Sequence, residues 1–158
     1  MHNINKIYKM LNWQSDFNSQ MRGMKLAKEL EDLSLLILPD ANGKSKSVWE
    51  NCARALYEIS DDRLGKYLPL LLEWLQDLNW PGALIILERL KNFSGEKLKK
   101  PFIDCFIYAK GLNNAEGQIW LDYLSELLDN GELKALLPKP MVKELQKRYK
   151  NWGFWARD

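Results

Sequence analysis

Apolar residues recur three and four positions apart along most of this chain, the period of helices that bury one face. The pattern is densest between residues 67 and 90. Leu68, Leu71, Leu72, Leu75 and Leu78 make one stripe, widened by Tyr67, Leu70 and Trp74, while Lys66, Glu73, Gln76 and Asp77 share the polar edge. Asn79 predicts the stop, because asparagine tolerates the left-handed conformation that ends helices. Pro81 predicts a restart in the first turn of a second helix, where a missing N–H costs nothing. Ala83, Leu84, Ile85, Ile86, Leu87 and Leu90 leave charge only at Glu88 and Arg89. A helix apolar nearly all round is packed on several sides, so this hairpin is expected at the centre of the fold.

The same period places the other elements. Ile4, Ile7, Tyr8 and Leu11 predict a first helix. Met21, Met24, Ala27, Leu30 and Leu33 predict a second, capped by Ser19 and facing inward with its methionines. Leu35 to Leu38 before Pro39 reads as a helix end running into an extended buried segment, since no second strand is present to pair with it. Pro39 to Ser47 reads as the longest polar loop. Ser47, with Glu50 in capping-box position, predicts a third helix whose stripe is Trp49, Cys52, Ala53, Leu56 and Ile59. Ser60-Asp61-Asp62 starts the central hairpin. Leu98, Phe102, Phe106 and Ala109, with Ile103 and Ile107 beside them, predict a helix that Pro101 kinks or opens. Asn113 and Asn114 cap the next, carrying Trp120, Leu121, Leu124, Leu127 and Leu128, and Gly131 is expected to end it. Pro138 and Pro140 flank the start of a last helix with Val142, Leu145 and Tyr149 inward. Phe154 and Trp155 in the tail are free to dock back. The reading is all-α: about eight antiparallel helices in one domain over 1–158, stacked as a short, right-handed, HEAT-like array of pairs about 40 residues long.

Composition narrows the class. With 46% hydrophobic and 28% charged residues, the chain is an ordinary globular one. A formal charge of +2 gives no general case for nucleic acid. Two cysteines far apart, Cys52 and Cys105, read as buried reduced thiols rather than a disulfide framework. The N-terminus lacks the apolar core of a signal peptide and no run reaches membrane-spanning length, so a cytoplasmic location without membrane contact is expected. The sequon at Asn92 is then chance spelling.

Candidate chemistry is sparse. The one histidine is His2, so a Ser–His or Cys–His pair is not expected, and no zinc-ligand spacing occurs. Gly43-Lys44-Ser45 copies the end of a phosphate-binding loop, but Leu38 stands where the motif needs glycine. Glu73 and Asp77 share a helix face and could hold a metal through waters; a solvated acidic edge accounts for them more simply. Asp61 and Asp62 suit a helix start. Lys97, Lys99 and Lys100 precede one helix, and Lys143, Lys147, Arg148 and Lys150 decorate the last, followed by Trp152, Phe154 and Trp155. Basic residues among aromatics can bind single-stranded nucleic acid.

Leu72-Glu-Trp-Leu-Gln-Asp-Leu-Asn-Trp-Pro81 is similar to the signature of a small bacterial domain-of-unknown-function family, number 5071. The resemblance runs from about Leu36 to Leu90, through Pro39 and Trp49-Glu-Asn-Cys-Ala53. It implies a small all-helical cytoplasmic protein and supplies no catalytic residues. In style the chain also resembles immunity proteins of bacterial toxin systems, several of which are small helical stacks that occupy a toxin's active site.

These features point to a binding module without catalysis, cofactor or metal. Its most concrete form is an immunity protein that neutralises a cognate nuclease toxin by direct contact, with Asp61, Asp62, Glu73, Asp77, Asn79 and Trp80 as the acidic-aromatic contact surface against a basic active site. The alternative is a nucleic-acid-binding helical repeat using Lys143, Lys147, Arg148, Lys150 and Trp152; a protein partner is favoured over nucleic acid because net charge is low.

Overall fold

The computed structural model describes residues 3–37, 39 and 45–152, with side chains through residue 150. Gly43 and Lys44 of the phosphate-loop mimic and the tail aromatics Trp152, Phe154 and Trp155 therefore lie outside the described side chains. The chain is all-α, with no strand among the described residues. Its helices are α1 (Ile4–Leu11), α2 (Phe17–Ala27), α3 (Trp49–Tyr57), α4 (Asp61–Leu64), α5 (Leu68–Glu73), α6 (Ala83–Lys91), α7 (Gly95–Gly111), α8 (Ala115–Leu124), α9 (Gly131–Leu136) and α10 (Lys139–Trp152), with 3-10 turns between several of them. No helix among the described residues is long and apolar enough to cross a membrane.

One contiguous core runs from Ile7 in α1 to Leu145 in α10. α1 packs on α2, α2 on α3, and α3 on α6; α7 packs on α5, α8 and α9, and α10 lies across α8. The stripe Leu68, Leu71, Leu72, Leu75 and Leu78 is buried throughout, as is Trp49, Cys52, Ala53, Leu56 and Ile59. Two buried amides stitch distant segments. Asn51 donates to the Leu11 carbonyl at 2.7 Å and to the Gln20 side chain at 2.9 Å. Asn130 donates to the carbonyls of Leu90 and Phe93, both at 2.9 Å, and accepts from the Leu133 N–H at 3.0 Å.

Several local expectations change. The segment 61–78 is not one helix. Pro69 opens α5 and has no N–H to give, and its ring crowds the carbonyl four residues back, so Gly65–Tyr67 tightens into a 3-10 turn. Pro81 stands in a turn, and Gly82, at φ +83°, precedes α6. Gly131 begins α9 under the Asn130 cap rather than ending a helix. Asp16, not Ser19, caps α2, and Ser45 rather than Ser47 caps the turn that leads into α3. Glu50 faces Arg54 one turn on at 3.5 Å instead of closing a capping box. Leu33–Leu36 is a 3-10 turn. α7 runs through Pro101, and Ile107 on it is exposed.

The largest change is the orientation of α2. Gly23 and Ala27 face inward and Met21 faces out, 49% exposed. A Cβ at Gly23 would stand 2.7 Å from the Met10 Cβ, so the missing side chain is what lets α1 lie this close. With the small residues turned in, Met21 is carried to the opposite side of the helix, while Met24 stays partly buried against the core.

Candidate functional site

The hairpin turn is built from the residues that stand out in the sequence. Trp74 is fully buried, and its Nε1 donates to the Pro81 carbonyl at 3.2 Å. Trp49 meets Trp74 and Trp80 edge to face, with ring centroids 6.4 and 5.8 Å apart. Such pairs add about 0.5–1.5 kcal/mol beyond their burial. The Asp77 carboxylate accepts from the Asn79 N–H at 2.8 Å, and the Asp77 carbonyl accepts from the Trp80 N–H at 3.1 Å. These bonds fold Asp77 to Gly82 into a compact turn under the aromatic trio. Asn79 is exposed, Trp80 and Asp77 are half-buried, and Glu73 is half-buried on α5.

Asp61 and Asp62 are elsewhere. Asp61 holds Arg89 at 2.5 Å and accepts from the Ser94 N–H at 2.9 Å, while Arg89 also donates to the Ile59 carbonyl at 2.9 Å. Asp62 pairs with Lys97, whose hydrogen bond and charge hold the Asp62 carboxyl below the usual range. Arg89 lies in the last turn of α6, whereas the Asp77–Gly82 turn precedes its first residue. The seven steps from Gly82 to Arg89 put ~10 Å between them along the helix. The structure thus brings Glu73, Asp77, Asn79 and Trp80 together and leaves the two aspartates at the far end of the helix, engaged in ties to α6 and α7.

An open groove of about 640 Å³ lies between α2, α3 and α6. Met21, Met24, Tyr57, Leu84 and Ile85 form its apolar surface; Arg54, Glu58 and Glu88 form its polar edge. Leu84 is 55% exposed, and Phe17, one turn before Met21 on α2, is 74% exposed. Sequence reasoning missed this surface because it turned Met21 inward with Met24 and expected α6 to be packed on several sides. The available signal was the Gly23/Ala27 pair, small residues four apart that mark the face of closest approach.

Chemically the groove can bury apolar side chains. Among the described residues no group of three His, Cys, Asp or Glu stands together as a metal site. Burial pushes the Cys52 thiol up to about 12, and burial with the nearby Glu73 charge pushes Cys105 up to about 12. Both therefore stay protonated near neutrality, where the thiolate is the nucleophile. The native protein is expected to react with a thiol reagent near pH 8 on the order of a hundredfold more slowly than the denatured chain. A native thiol titrating at the denatured rate would contradict this.

On α10, Lys143, Lys147 and Lys150 are exposed. Arg148 is not available with them: it donates to Asp122 at 2.9 Å and to the Gln118 side chain at 2.6 Å, tying α10 to α8.

A family model described as Domain of unknown function (DUF5071) matches residues 45–130. The chain belongs to this family. No curated protein matches the chain, and no solved structure does. The DUF5071 match contains the whole hairpin turn and its Trp49 partner, and it continues beyond Leu90 through α7 and α8 to Asn130. The string from Leu72 to Pro81 thus falls in the part of the DUF5071 fold where an aromatic trio seals a tight turn.

Proposed function

We propose that this protein is a non-catalytic protein-binding module whose contact surface is the groove between α2, α3 and α6. The exposed row of Phe17, Met21 and Leu84 carries the reading. Contiguous large apolar side chains left in water mark interaction sites. Methionine adapts to the shape of an apolar partner. The fitting occupant is an amphipathic helix of a partner protein, its apolar residues in the groove and a cation opposite Glu88, whose carboxylate accepts from the Asn92 amide at 3.3 Å. Charges of both signs on the rim favour a protein over a polyanion. The concrete form is an immunity protein that blocks a bacterial toxin domain, for which a small binding surface without chemistry of its own suffices.

The test is capture from nuclease-treated lysate of the native cells, comparing wild type with the Met21→Asp/Leu84→Asp variant. The expected result is one stoichiometric protein held by wild type and lost by the variant, with growth rescued when wild type is co-expressed with that protein. Both positions are exposed, so unfolding should shift by no more than about 0.5 kcal/mol. Loss on Glu73→Lys/Asp77→Lys instead would move the contact to the hairpin turn. Equal capture by all three would sink the reading.

A further inference from the structure

α10 divides its polar residues between two sides. Leu145 is buried, Glu144 pairs with Lys110 at 2.8 Å, Arg148 pairs with Asp122, and the Tyr149 hydroxyl donates to Asp129 at 3.1 Å. These groups hold the helix to the body. Lys139, Lys143, Lys147 and Lys150 follow at steps of four, four and three, which keeps them within an arc of about 80° on the opposite side. All four are exposed, and among the described residues none has an ion-pair partner. Every acidic residue of α10 lies on the docked side. Lys134 of α9 adds a fifth cation: with Lys139 and Lys143 it surrounds a pocket of about 510 Å³ that has no carboxylate in its lining.

We propose that this lysine row, with Lys134, is a site for the phosphate backbone of double-stranded nucleic acid. Steps of four and three residues advance ~6 and ~4.5 Å along the helix, so the row presents closely spaced charges of one sign to a linear polyanion. A protein partner fits less well, because lysine is depleted at protein interfaces and those interfaces need a desolvated apolar anchor that the row lacks. A lipid surface fits less well, because the apolar face of α10 that would enter it is docked on α8. A single strand fits less well, because base stacking needs aromatic platforms and none stands among the described side chains of the row. Backbone contact alone carries no sequence preference. The site is separate from the groove on α2, α3 and α6, and either can fail without the other.

The experiment is fluorescence anisotropy of a labelled duplex titrated with the full chain. Five neutralised phosphates give a logarithmic salt slope of about −4.5, so affinity should fall roughly 500-fold between about 50 and 200 mM salt. Replacing Lys139, Lys143, Lys147 and Lys150 by Gln should weaken low-salt binding at least tenfold while leaving thermal unfolding in place. A control removes the same charge elsewhere, at the exposed Lys6, Lys9, Lys25 and Lys99, and should stay within threefold of wild type. No binding at low salt, equal loss in the control, binding that survives the row variant, or tighter binding to the single strand or to phosphatidylserine vesicles would each overturn the proposal.

Discussion

Gly82→Ala is expected to lower the free energy of unfolding by about 3 kcal/mol. Two costs combine. The backbone at φ +83° is one that a side chain resists, at about 1–2 kcal/mol. The added Cβ would also stand 2.7 Å from the Ala53 Cβ, 3.0 Å from the Trp49 carbonyl and 3.0 Å from the Trp74 ring. Those neighbours are a helix backbone and a fully buried indole, so they have little room to give, and overpacking of this kind costs about 1–3 kcal/mol. Urea denaturation followed by circular dichroism gives the number; the midpoint should fall with the slope unchanged. Gly131→Ala serves as the comparison, since nothing stands within 4 Å of a Cβ built there, and it should remain within about 0.5 kcal/mol of wild type. A loss below about 1 kcal/mol at Gly82 would mean that the turn relaxes and is not pinned by the tryptophans.

Asn130→Ala is expected to cost a similar amount, about 3 kcal/mol. Its amide feeds the carbonyls of Leu90 and Phe93, and its carbonyl caps α9 through the Leu133 N–H. Losing the cap costs about 1 kcal/mol, and stranding the buried carbonyls costs the rest. Asn130→Asp separates the two roles. It keeps an oxygen for the cap and replaces the donor with a group that faces two carbonyls. A carboxyl buried there titrates above its usual range, so the variant is neutral and tolerated at low pH and charged and destabilised as pH rises through that shifted value. Asn130→Asp should therefore be more stable near pH 4 than near pH 7 relative to wild type at each pH. Stability of the variant that rises with pH in step with wild type would contradict this.

What the sequence reveals about this fold follows the range of the forces involved. The leucines at 68, 71, 72, 75 and 78 are legible because one helix decides which of its own residues share a side. The same holds for Leu98, Phe102, Phe106 and Ala109 on α7 and for Trp120, Leu121 and Leu124 on α8. Which of two apolar sides turns inward is not local. Met21 points outward because α1 closes on Gly23, a contact that no stripe on α2 records. Leu84 looks like core and is open because no helix among the described residues covers it. The carboxylates at 61 and 62 read as a helix start and part of a contact surface, and they do open α4, but their partners Arg89 and Lys97 stand 28 and 35 positions away and no local pattern shows them. On α10 the sequence shows the basic residues but not that Arg148 is already held by α8 while the lysines are not.

The three walls of the groove do not share one origin within the chain. The walls from α3 and α6 lie inside residues 45–130, the span matched by the DUF5071 model, whereas the wall carrying Met21 and Met24 lies before it. The aromatic trio that seals the central turn lies within that span, so membership can rest on residues that hold the fold together. Two members could then be siblings in their interior and strangers in what they hold. If the groove is the contact surface proposed above, exchanging the α2 segment between them, rather than the signature, is the graft that should carry partner choice with it.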